Sequence, residues 1–301
     1  MHSGHGGQLD PLRSLIFVPG NRENMLEKAL TFNADIIMVD LEDSVPTAQK
    51  LSAIPIAQRW TEKLHESGKT VMVRLNALDT GFTKNEMIQM ASNSILGFSV
   101  GKISSANDVK TIDIMLTEIE TKKGLPHKSL KFIAWIESAK AIMNIQEIST
   151  ASTRTIALAF GAEDLTNDME ITRTELGSEI AVPRAIVPIA AKAVNLPALD
   201  SPFVSFNDYD ALTRDATNAK SVGYTGKFAI HPNQIETINK IFSPSEEEIQ
   251  YAQQVMEAWE QAESQGEGSI ALDGKMIDVP VVKRAQNVLI AAGLLEDKFT
   301  L

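Results

Sequence analysis

Short apolar runs that each end in a charged residue are the clearest pattern along the chain. Four of them are residues 36–39 before Asp40, 71–73 before Arg74, 132–136 before Glu137, and 156–160 before the Gly-Ala-Glu-Asp of 161–164. A run that is apolar throughout is typical of a strand buried on both faces, as in a parallel sheet. Packing gives no reason for a charge at the C-terminal end of such a strand, but in a (β/α)8 barrel that end is the catalytic face. The pattern therefore predicts a scaffold and a site together.

Eight strand candidates alternate with segments of helical spacing. The predicted strands span residues 15–20, 36–42, 71–76, 96–102, 132–138, 156–163, 198–203 and 226–232. Predicted helices between them include residues 25–30, 108–119, 139–148 and 186–194. Strand and helix alternating at about 30 residues per unit is the βα pattern, and eight units close a barrel. We therefore predict an α/β fold, a (β/α)8 TIM barrel over residues 12–242. An open doubly wound sheet, which normally has fewer strands, is the alternative.

The pattern changes after residue 242. A long amphipathic helix is predicted over residues 246–262, a hairpin with an Asp-Gly turn over 269–276, and a last helix over 280–292. Together they form a predicted C-terminal extension, residues 243–301. The polar residues 1–11 are predicted to be a disordered or tag-like terminus.

Charge and composition narrow the classes of function. A net charge of −11, from 28 basic and 39 acidic residues, argues against nucleic-acid binding. The absence of cysteine excludes thiolate nucleophiles, disulfides and cysteine metal sites. No apolar stretch approaches the roughly 20 residues that span a bilayer. We therefore expect a cytoplasmic protein, or a mitochondrial-matrix protein in a eukaryote, that acts on a small molecule and has no nucleic-acid or membrane partner.

Two carboxylates end neighbouring strands of the predicted barrel. Glu137 follows the fifth strand and Asp164 the sixth. Adjacent parallel strands lie about 4.8 Å apart, so these side chains can share one ion. Oxygen ligands suit Mg²⁺, with waters and substrate completing its coordination. The alternative is that each carboxylate caps the helix that follows its strand.

Arg74 ends the third predicted strand. Its planar fork of donors suits a carboxylate or an α-keto acid. The alternative is a salt bridge to Asp40, Glu42 or Asp43 inside the barrel mouth, and the two roles are compatible. One acidic partner can orient the guanidinium while its outer edge contacts the substrate.

Other candidates carry weaker signals. Gly20 and Arg22 precede a helix, a pattern that suits phosphate, and Lys28 adds a second positive charge; a tight βα turn is the alternative. His231, before Pro232, is interpreted as a packed turn residue rather than a base. Asp278 first suggests an N-cap for the last helix.

Several of these segments, in their order and spacing, carry a family likeness. The chain resembles the HpcH/HpaI aldolase and citrate lyase β-subunit family, and within it the stand-alone CitE-like, malyl-CoA and citramalyl-CoA lyases. The matching stretches are residues 15–22 (LIFVPGNR), 40–45 (DLEDSV), 73–76 (VRLN), 136–139 (IESA), 161–164 (GAED), 223–227 (GYTGK), 230–234 (IHPNQ), 242–245 (FSPS) and 274–280 (GKMIDVP).

The resemblance implies a (β/α)8 barrel, Mg²⁺ as cofactor and a coenzyme A (CoA) thioester as substrate. It implies that Glu137 and Asp164 are the metal ligands, that Glu137 also contributes to substrate binding, and that Arg74 holds the substrate carboxylate or keto group and is catalytic. The residues implied for the CoA site are Phe17, Lys28, Phe228 and Ala229, with Arg22 as a phosphate contact.

The resemblance also implies a catalytic role for Asp278, whereas its local sequence suggests only an N-cap. In the lyase branch this aspartate comes from a neighbouring subunit and acts as an acid/base group, which implies a homotrimer or hexamer. The implied activity is Mg²⁺-dependent cleavage of a citramalyl-CoA or malyl-CoA type 3-hydroxyacyl-CoA to acetyl-CoA and an α-keto acid, through a metal-stabilised enolate.

Three other activities are compatible with the resemblance. They are a malyl-CoA thioesterase, a malate-synthase-type condensation, and a citrate lyase β subunit acting on a carrier-bound citryl thioester. A non-catalytic scaffold is disfavoured, because Arg74, Glu137, Asp164 and Asp278 are all present.

Overall fold

A computed structural model describes residues 12–174, 176–264 and 268–296 of the chain. The expectation for residues 1–11 lies outside this described part. The chain divides into two compact units, the first ending at Asn239 and the second beginning at Lys240. No helix in the described ranges combines the length and the apolar character needed to cross a bilayer.

The first unit is built on a closed barrel of eight parallel strands in sequence order, with β8 paired to β1. This confirms the predicted (β/α)8 TIM barrel. The strands are β1 (Ser14–Pro19), β2 (Ile36–Asp40), β3 (Val71–Leu75), β4 (Gly97–Val100), β5 (Lys131–Ile136), β6 (Thr155–Phe160), β7 (Ala198–Asp200) and β8 (Gly226–Ala229).

Helices surround the strands in the alternation that the sequence predicts. They are α1 (Glu23–Ala29), α2 (Lys50–Glu66), α3 (Thr83–Met90), α4 (Ala106–Lys123), α5 (Ala139–Met143), α6 (Ile145–Thr150), α7 (Ala162–Asp168), α8 (Ala181–Ala193), α9 (Tyr209–Val222) and α10 (Ile235–Phe242). Short 3₁₀ turns occur at Thr47–Gln49, Leu78–Thr80, Ser178–Ile180 and Pro232–Gln234.

Element boundaries were the main errors of the sequence prediction. The strand predicted over residues 156–163 ends at Phe160, because Gly161 is already the N-cap of α7. The other strands likewise end one to three residues earlier than predicted. The single helix predicted over 139–148 is two short helices that meet at Asn144. The polar residues counted as strand ends therefore belong to the loops at the barrel mouth.

The barrel interior is filled by apolar side chains that alternate along the strands. They include Leu15, Met38, Met72, Ile133 and Phe228, all 0–1% exposed. Side chains on the outer face of the strands are buried as well, as in β2 and β6, where every residue is buried. Burial on both faces of the sheet explains the uniformly apolar runs in the sequence.

The second unit has its own small apolar core. It contains α11 (Glu246–Ser264), α12 (Val279–Ala291), and the antiparallel strands β9 (Ile270–Leu272) and β10 (Lys275–Ile277). The hairpin turn is Asp273-Gly274, and both residues have positive φ, as an Asp-Gly turn of this kind requires. Val255, Ile277 and Leu289 lie at the centre of the core.

A buried arginine directly before β6 contacts α4 and yields a stability prediction. Arg154 has no exposed surface and donates to Asp113 (2.6 Å) and to both carboxylate oxygens of Glu120 (2.7 Å each). Removing one partner of a buried ion pair leaves an uncompensated charge, so Arg154→Ala is expected to lower the free energy of unfolding by about 3–5 kcal/mol. Arg59→Ala, which breaks an exposed pair with Glu23 (2.7 Å), is the control, with an expected loss below about 1 kcal/mol. Equal losses in urea unfolding would contradict this account.

Candidate active site

A cavity of about 630 Å³ opens at the carboxyl ends of the barrel strands. Its volume lies in the range of small-molecule sites. It brings together five of the residues predicted from the sequence: Phe17, Lys28, Arg74, Glu137 and Asp164. The same cavity is lined by Trp135, Ser201 and His231, among others.

Glu137 follows β5 and is almost fully buried, with 7% of its surface exposed. The backbone N–H of Lys102 donates to its Oε1 (2.5 Å). Burial raises the pKa of the Glu137 carboxyl to about 7, and the nearby Asp164 carboxylate adds to the shift. Burial also raises the pKa of Asp164, in the first turn of α7, with Asp43 contributing. The site therefore concentrates negative charge in a poorly solvated place.

Two glycines leave the space that the Glu137 carboxyl group occupies. A Cβ atom at position 161 would lie 2.5 Å from Glu137 Oε2, and one at position 101 would lie 2.9 Å from Oε1. Among the described residues, no group of three or more His, Cys, Asp or Glu side chains is disposed to hold a metal ion. Two converging carboxylates nevertheless fit Mg²⁺, which is commonly bound by one or two carboxylates and completes its shell with water and substrate oxygens.

Arg74 is held by acidic groups on its edges and an aromatic ring on its face. Its Nε and Nη2 donate to the two carboxylate oxygens of Asp40 (2.7 Å each). Its Nη1 donates to Asp43 (3.0 Å) and lies 3.3 Å from Glu42. The guanidinium carbon lies 4.4 Å from the centre of the Phe17 ring. The predicted salt bridge is confirmed, and it involves all three candidate acids.

These contacts fix the charge state of the pair. Burial opposes ionisation of both Asp40 and Arg74, but their mutual attraction outweighs it, so the pKa of Asp40 is lowered and that of Arg74 is raised. Glu42 differs, because burial raises the pKa of its carboxyl to about 8. From the sequence alone Glu42 is only a salt-bridge candidate, and its burial beside the candidate metal ligands becomes apparent in the structure.

The other predicted residues have different environments. Lys28 is exposed and lines the cavity from α1, whereas Arg22 is the exposed N-cap residue of α1 and does not line it. Phe228 and Ala229 have no exposed surface, so their direct contact with a ligand is not supported. Phe228 instead stacks against Phe17, with ring centroids 5.0 Å apart.

Trp135 forms an aromatic cluster with Phe17 and Phe228 that the sequence did not predict. Its ring lies 4.5 Å from Phe228 and 6.1 Å from Phe17, measured between centroids. Its indole N–H donates to the Ser99 hydroxyl (2.7 Å). Trp135 and Phe228 support Phe17, which in turn supports Arg74. In the sequence, the one indication of this cluster is a tryptophan, whose indole N–H can donate a hydrogen bond, within an otherwise apolar run.

Asp278 lies in the second unit and is the N-cap of α12. Its Oδ1 accepts a hydrogen bond from the backbone N–H of Val281 (3.3 Å). The N-cap interpretation made from the local sequence is therefore confirmed. His231 is a packed turn residue as expected, because its Nδ1 accepts from the N–H of Asn233 (3.3 Å) and its ring stacks on Phe206.

The fold and the cavity define a class before any comparison. A closed parallel barrel that gathers a buried and a half-buried carboxylate and an oriented arginine at the carboxyl ends of its strands has the arrangement of a TIM-barrel enzyme. The model of the HpcH/HpaI aldolase/citrate lyase family matches residues 13–232. The chain therefore belongs to the HpcH/HpaI aldolase/citrate lyase family, and it is an enzyme of the lyase class.

Individual relatives agree with this assignment. The chain is 38% identical over 277 residues to citrate lyase subunit beta of Leuconostoc mesenteroides subsp. cremoris, with 92% of each chain covered. It is 30% identical to the L-malyl-CoA/beta-methylmalyl-CoA lyase of Cereibacter sphaeroides, covering 95% of this chain and 96% of that protein. Its structure is similar to that of CitE from Mycobacterium tuberculosis in complex with magnesium, acetoacetate and coenzyme A. That likeness has a TM-score of 0.74 and 28% identity, and covers 95% of this chain and 98% of the other.

Proposed function

We propose that this protein is a Mg²⁺-dependent carbon–carbon lyase that cleaves a 3-hydroxyacyl-CoA of the citramalyl-CoA or malyl-CoA type. The products are acetyl-CoA and an α-keto acid. The observation that carries the proposal is the convergence of Glu137, Asp164 and Arg74 on one cavity. Similarity to a malyl-CoA lyase and to a CitE structure with bound magnesium and coenzyme A supports the choice of substrate and cofactor.

Each residue has a distinct role in this proposal. Glu137 and Asp164 hold Mg²⁺, which supplies Lewis acidity to the reacting oxygens when bound. Arg74, kept charged and oriented by Asp40, binds the substrate carboxylate and shares the negative charge that develops in the transition state. Phe17 and Lys28 contact the CoA portion, and Arg22 contacts a phosphate.

Proton transfer is assigned to Asp278 of a neighbouring subunit, in a homotrimer or hexamer. In the cleavage direction the C2–C3 bond breaks, the 3-hydroxyl group becomes the keto group as its proton passes to water, and the enolate carbon of the departing acetyl-CoA takes a proton from the protonated Asp278 carboxyl group, which water then reprotonates. In the synthetic direction the same carboxylate removes a proton from the acetyl-CoA methyl group. The second unit then has a catalytic function beyond its own folding.

A second candidate is the citrate lyase β subunit, which would act on a citryl thioester bound to a carrier protein. The 38% identity to a citrate lyase subunit beta favours it, since this exceeds the 30% identity to the malyl-CoA lyase. Thioester hydrolysis and malate-synthase-type condensation would use the same site, and both remain alternatives to the lyase reaction.

A substrate panel tests the proposal. Purified protein with Mg²⁺ is offered malyl-CoA, citramalyl-CoA and β-methylmalyl-CoA, and separately a citryl thioester on an acyl-carrier protein. Release of a keto acid from one of the CoA esters is expected. Turnover of the carrier-bound thioester alone would replace the first candidate with the second, and release of free CoA with a hydroxy acid would identify a thioesterase.

Replacing the substrate-binding arginine tests its geometry. Arg74→Lys keeps the positive charge but loses the paired bonds to Asp40, so we expect kcat/KM to fall by about 10²- to 10³-fold. Arg13→Lys is the matched control, because Arg13 likewise makes paired hydrogen bonds to a carboxylate, that of Asp35, but at the amino ends of the strands. Steady-state kinetics on the preferred thioester measures both. Equal activity of the two variants would contradict the role of Arg74.

A further inference from the structure

Helix α7 has no side-chain cap of its own, although it carries the candidate metal ligand Asp164 in its first turn. Its N-cap residue is Gly161, and a Cβ atom there would lie 2.5 Å from Glu137 Oε2. A residue with a capping side chain at this position would therefore collide with the carboxyl group of the other candidate ligand. The N–H groups of the first turn need an acceptor from elsewhere in the chain.

The hydroxyl group of Ser201, in the loop directly after β7, supplies such an acceptor. Its Oγ accepts a hydrogen bond from the N–H of Ala162, the first residue of α7 (2.8 Å). Both residues are buried, and both line the active-site cavity. Ser201 therefore fixes the point at which α7 begins, two residues before Asp164.

The position of Asp164 depends on its backbone more than the position of Glu137 does. The Glu137 carboxyl group accepts the N–H of Lys102 directly. In the part of the chain that the structure describes, no group donates a hydrogen bond to the Asp164 carboxylate. At its other end α7 is held by Asp168, whose Oδ2 accepts from the N–H of Ala139 (2.7 Å). The place of the Asp164 carboxylate thus follows from the place of its helix.

A buried lysine holds the Ser201 loop from the outer side of the sheet. Lys227 on β8 is 1% exposed, and its Nζ donates to the Ser201 carbonyl (2.6 Å) and to Asp200. It also forms an ion pair with Asp215 of α9 (2.6 Å). Arg184 of α8 donates to both carboxylate oxygens of Asp200 (2.9 and 2.6 Å) and pairs with Asp215 (2.9 Å). We call Arg184, Asp200, Asp215 and Lys227 the four-charge cluster.

The four-charge cluster is balanced, with two positive and two negative groups. Burial opposes ionisation of Asp215, but the attraction of Lys227 and Arg184 outweighs it and lowers the pKa of the Asp215 carboxyl. Burying charges carries a desolvation cost that apolar side chains in the same space would avoid. Apolar side chains could not, however, donate a hydrogen bond to the Ser201 carbonyl. The placement of the Ser201 loop is therefore what the cluster adds to the fold.

We infer that Ser201 and Lys227 are positioning residues for Asp164. Lys227 fixes the backbone of Ser201, the Ser201 hydroxyl fixes the first N–H of α7, and α7 carries Asp164. The inference deepens the proposed function, because it rests on Asp164 as a Mg²⁺ ligand. Groups that support a metal ligand typically contribute about 10- to 100-fold in affinity. Ser201 acts through the backbone of a helix, so we expect an effect near the lower end of that range.

Mn²⁺ binding followed by electron paramagnetic resonance tests the inference without any substrate. Ser201→Ala should raise the Kd for Mn²⁺ by about 10-fold, because the N-terminus of α7 loses its acceptor. Ser149→Ala is the matched control and should bind Mn²⁺ as wild type does. Ser149 is buried to a similar degree in the same unit, but its hydroxyl donates to a carbonyl within α6 (2.9 Å). Equal Kd values for wild type and Ser201→Ala would overturn the inference.

Lys227 is tested with a charge-balanced double variant, since Lys227→Met alone leaves a buried carboxylate uncompensated. Lys227→Met/Asp215→Asn removes one positive and one negative group and keeps the pair between Arg184 and Asp200. Its Kd for Mn²⁺ should rise as that of Ser201→Ala does. Asp215→Asn alone keeps the bond to the Ser201 carbonyl and should bind Mn²⁺ like wild type. An unchanged Kd in the double variant would overturn the role of Lys227. If the double variant does not fold, Ser201→Ala, which changes no charge, decides the inference.

The metal readout also separates this inference from the proposed function. If Ser201→Ala weakens Mn²⁺ binding as expected but wild type cleaves no acyl-CoA ester, the lyase proposal fails and the positioning role stands. If wild type binds no Mn²⁺, Asp164 is not a metal ligand and both are wrong. If Ser149→Ala raises the Kd as much as Ser201→Ala does, the effect is a general loss of stability and the positioning role is wrong.

Discussion

Asp278→Asn is expected to lower kcat by about 10²- to 10⁴-fold without lowering stability. An acid/base group contributes rate enhancement of this size, and asparagine has no proton-transfer capacity at neutral pH. Asparagine is as good an N-cap as aspartate, so α12 keeps its first turn. Asp278→Ala should lose the same activity and also about 1 kcal/mol of stability through loss of the cap. Kinetics and urea unfolding of the two variants therefore separate the catalytic role of Asp278 from its structural one.

Subunit mixing decides whether Asp278 acts across an interface. Glu137→Gln and Asp278→Asn subunits, each inactive alone, are produced together in one cell and purified as mixed oligomers. If Asp278 acts on a neighbour, some sites combine an intact Glu137 with an intact Asp278, and activity returns. No recovery in verified mixed oligomers would show that Asp278 acts within its own chain or not at all.

Glu137→Gln is expected to weaken Mg²⁺ binding by at least about 100-fold. Loss of a partner that only orients a ligand typically costs 10- to 100-fold in affinity, and Glu137 is proposed as a ligand itself. Mn²⁺ binding followed by electron paramagnetic resonance gives a readout independent of turnover. Glu163→Gln is the matched control: Glu163 also lines the cavity, is next to Asp164 and pairs with Arg173 (3.0 Å), but is largely exposed.

The same substitution should stabilise the metal-free protein. Burial makes an ionised Glu137 unfavourable, and a neutral amide of the same shape removes that cost. Thermal unfolding in the presence of a chelator should therefore show a higher Tm for Glu137→Gln than for wild type, and added Mg²⁺ should raise Tm only in wild type. Metal binding and stability unchanged from wild type would exclude Glu137 as a ligand.

The fold was predictable because the burial of a barrel strand is reflected in the pattern of apolar residues in its sequence. Residues 156–160 are apolar without alternation because both faces of β6 are covered, and the same signal marks β2 and β5. Strand ends were less predictable. Glu137 directly follows β5, but Asp164 lies in the first turn of α7, beyond the end of β6 at Phe160. The sequence alone therefore does not mark where the strand hydrogen bonding stops.

Site residues that follow individual strands were predictable from the sequence. Contacts between residues of different loops were less predictable. The position of Arg74 follows from strand order, but its simultaneous contact with Asp40, Asp43 and Glu42 depends on how the loop after β2 folds back. The stacking of Phe206 on His231 joins residues 25 positions apart in loops without a local motif. Such contacts are set by tertiary geometry rather than by propensity or periodicity.

The most direct test of the central claim is the product balance of one cleavage reaction. Purified protein is incubated with citramalyl-CoA or malyl-CoA, with Mg²⁺ and then with excess chelator, and the CoA species and keto acid are measured by liquid chromatography and mass spectrometry. The account predicts acetyl-CoA and keto acid in equal amounts, with no reaction after chelation. Free CoA and hydroxy acid, or cleavage that is indifferent to chelation, would contradict a metal-dependent carbon–carbon lyase.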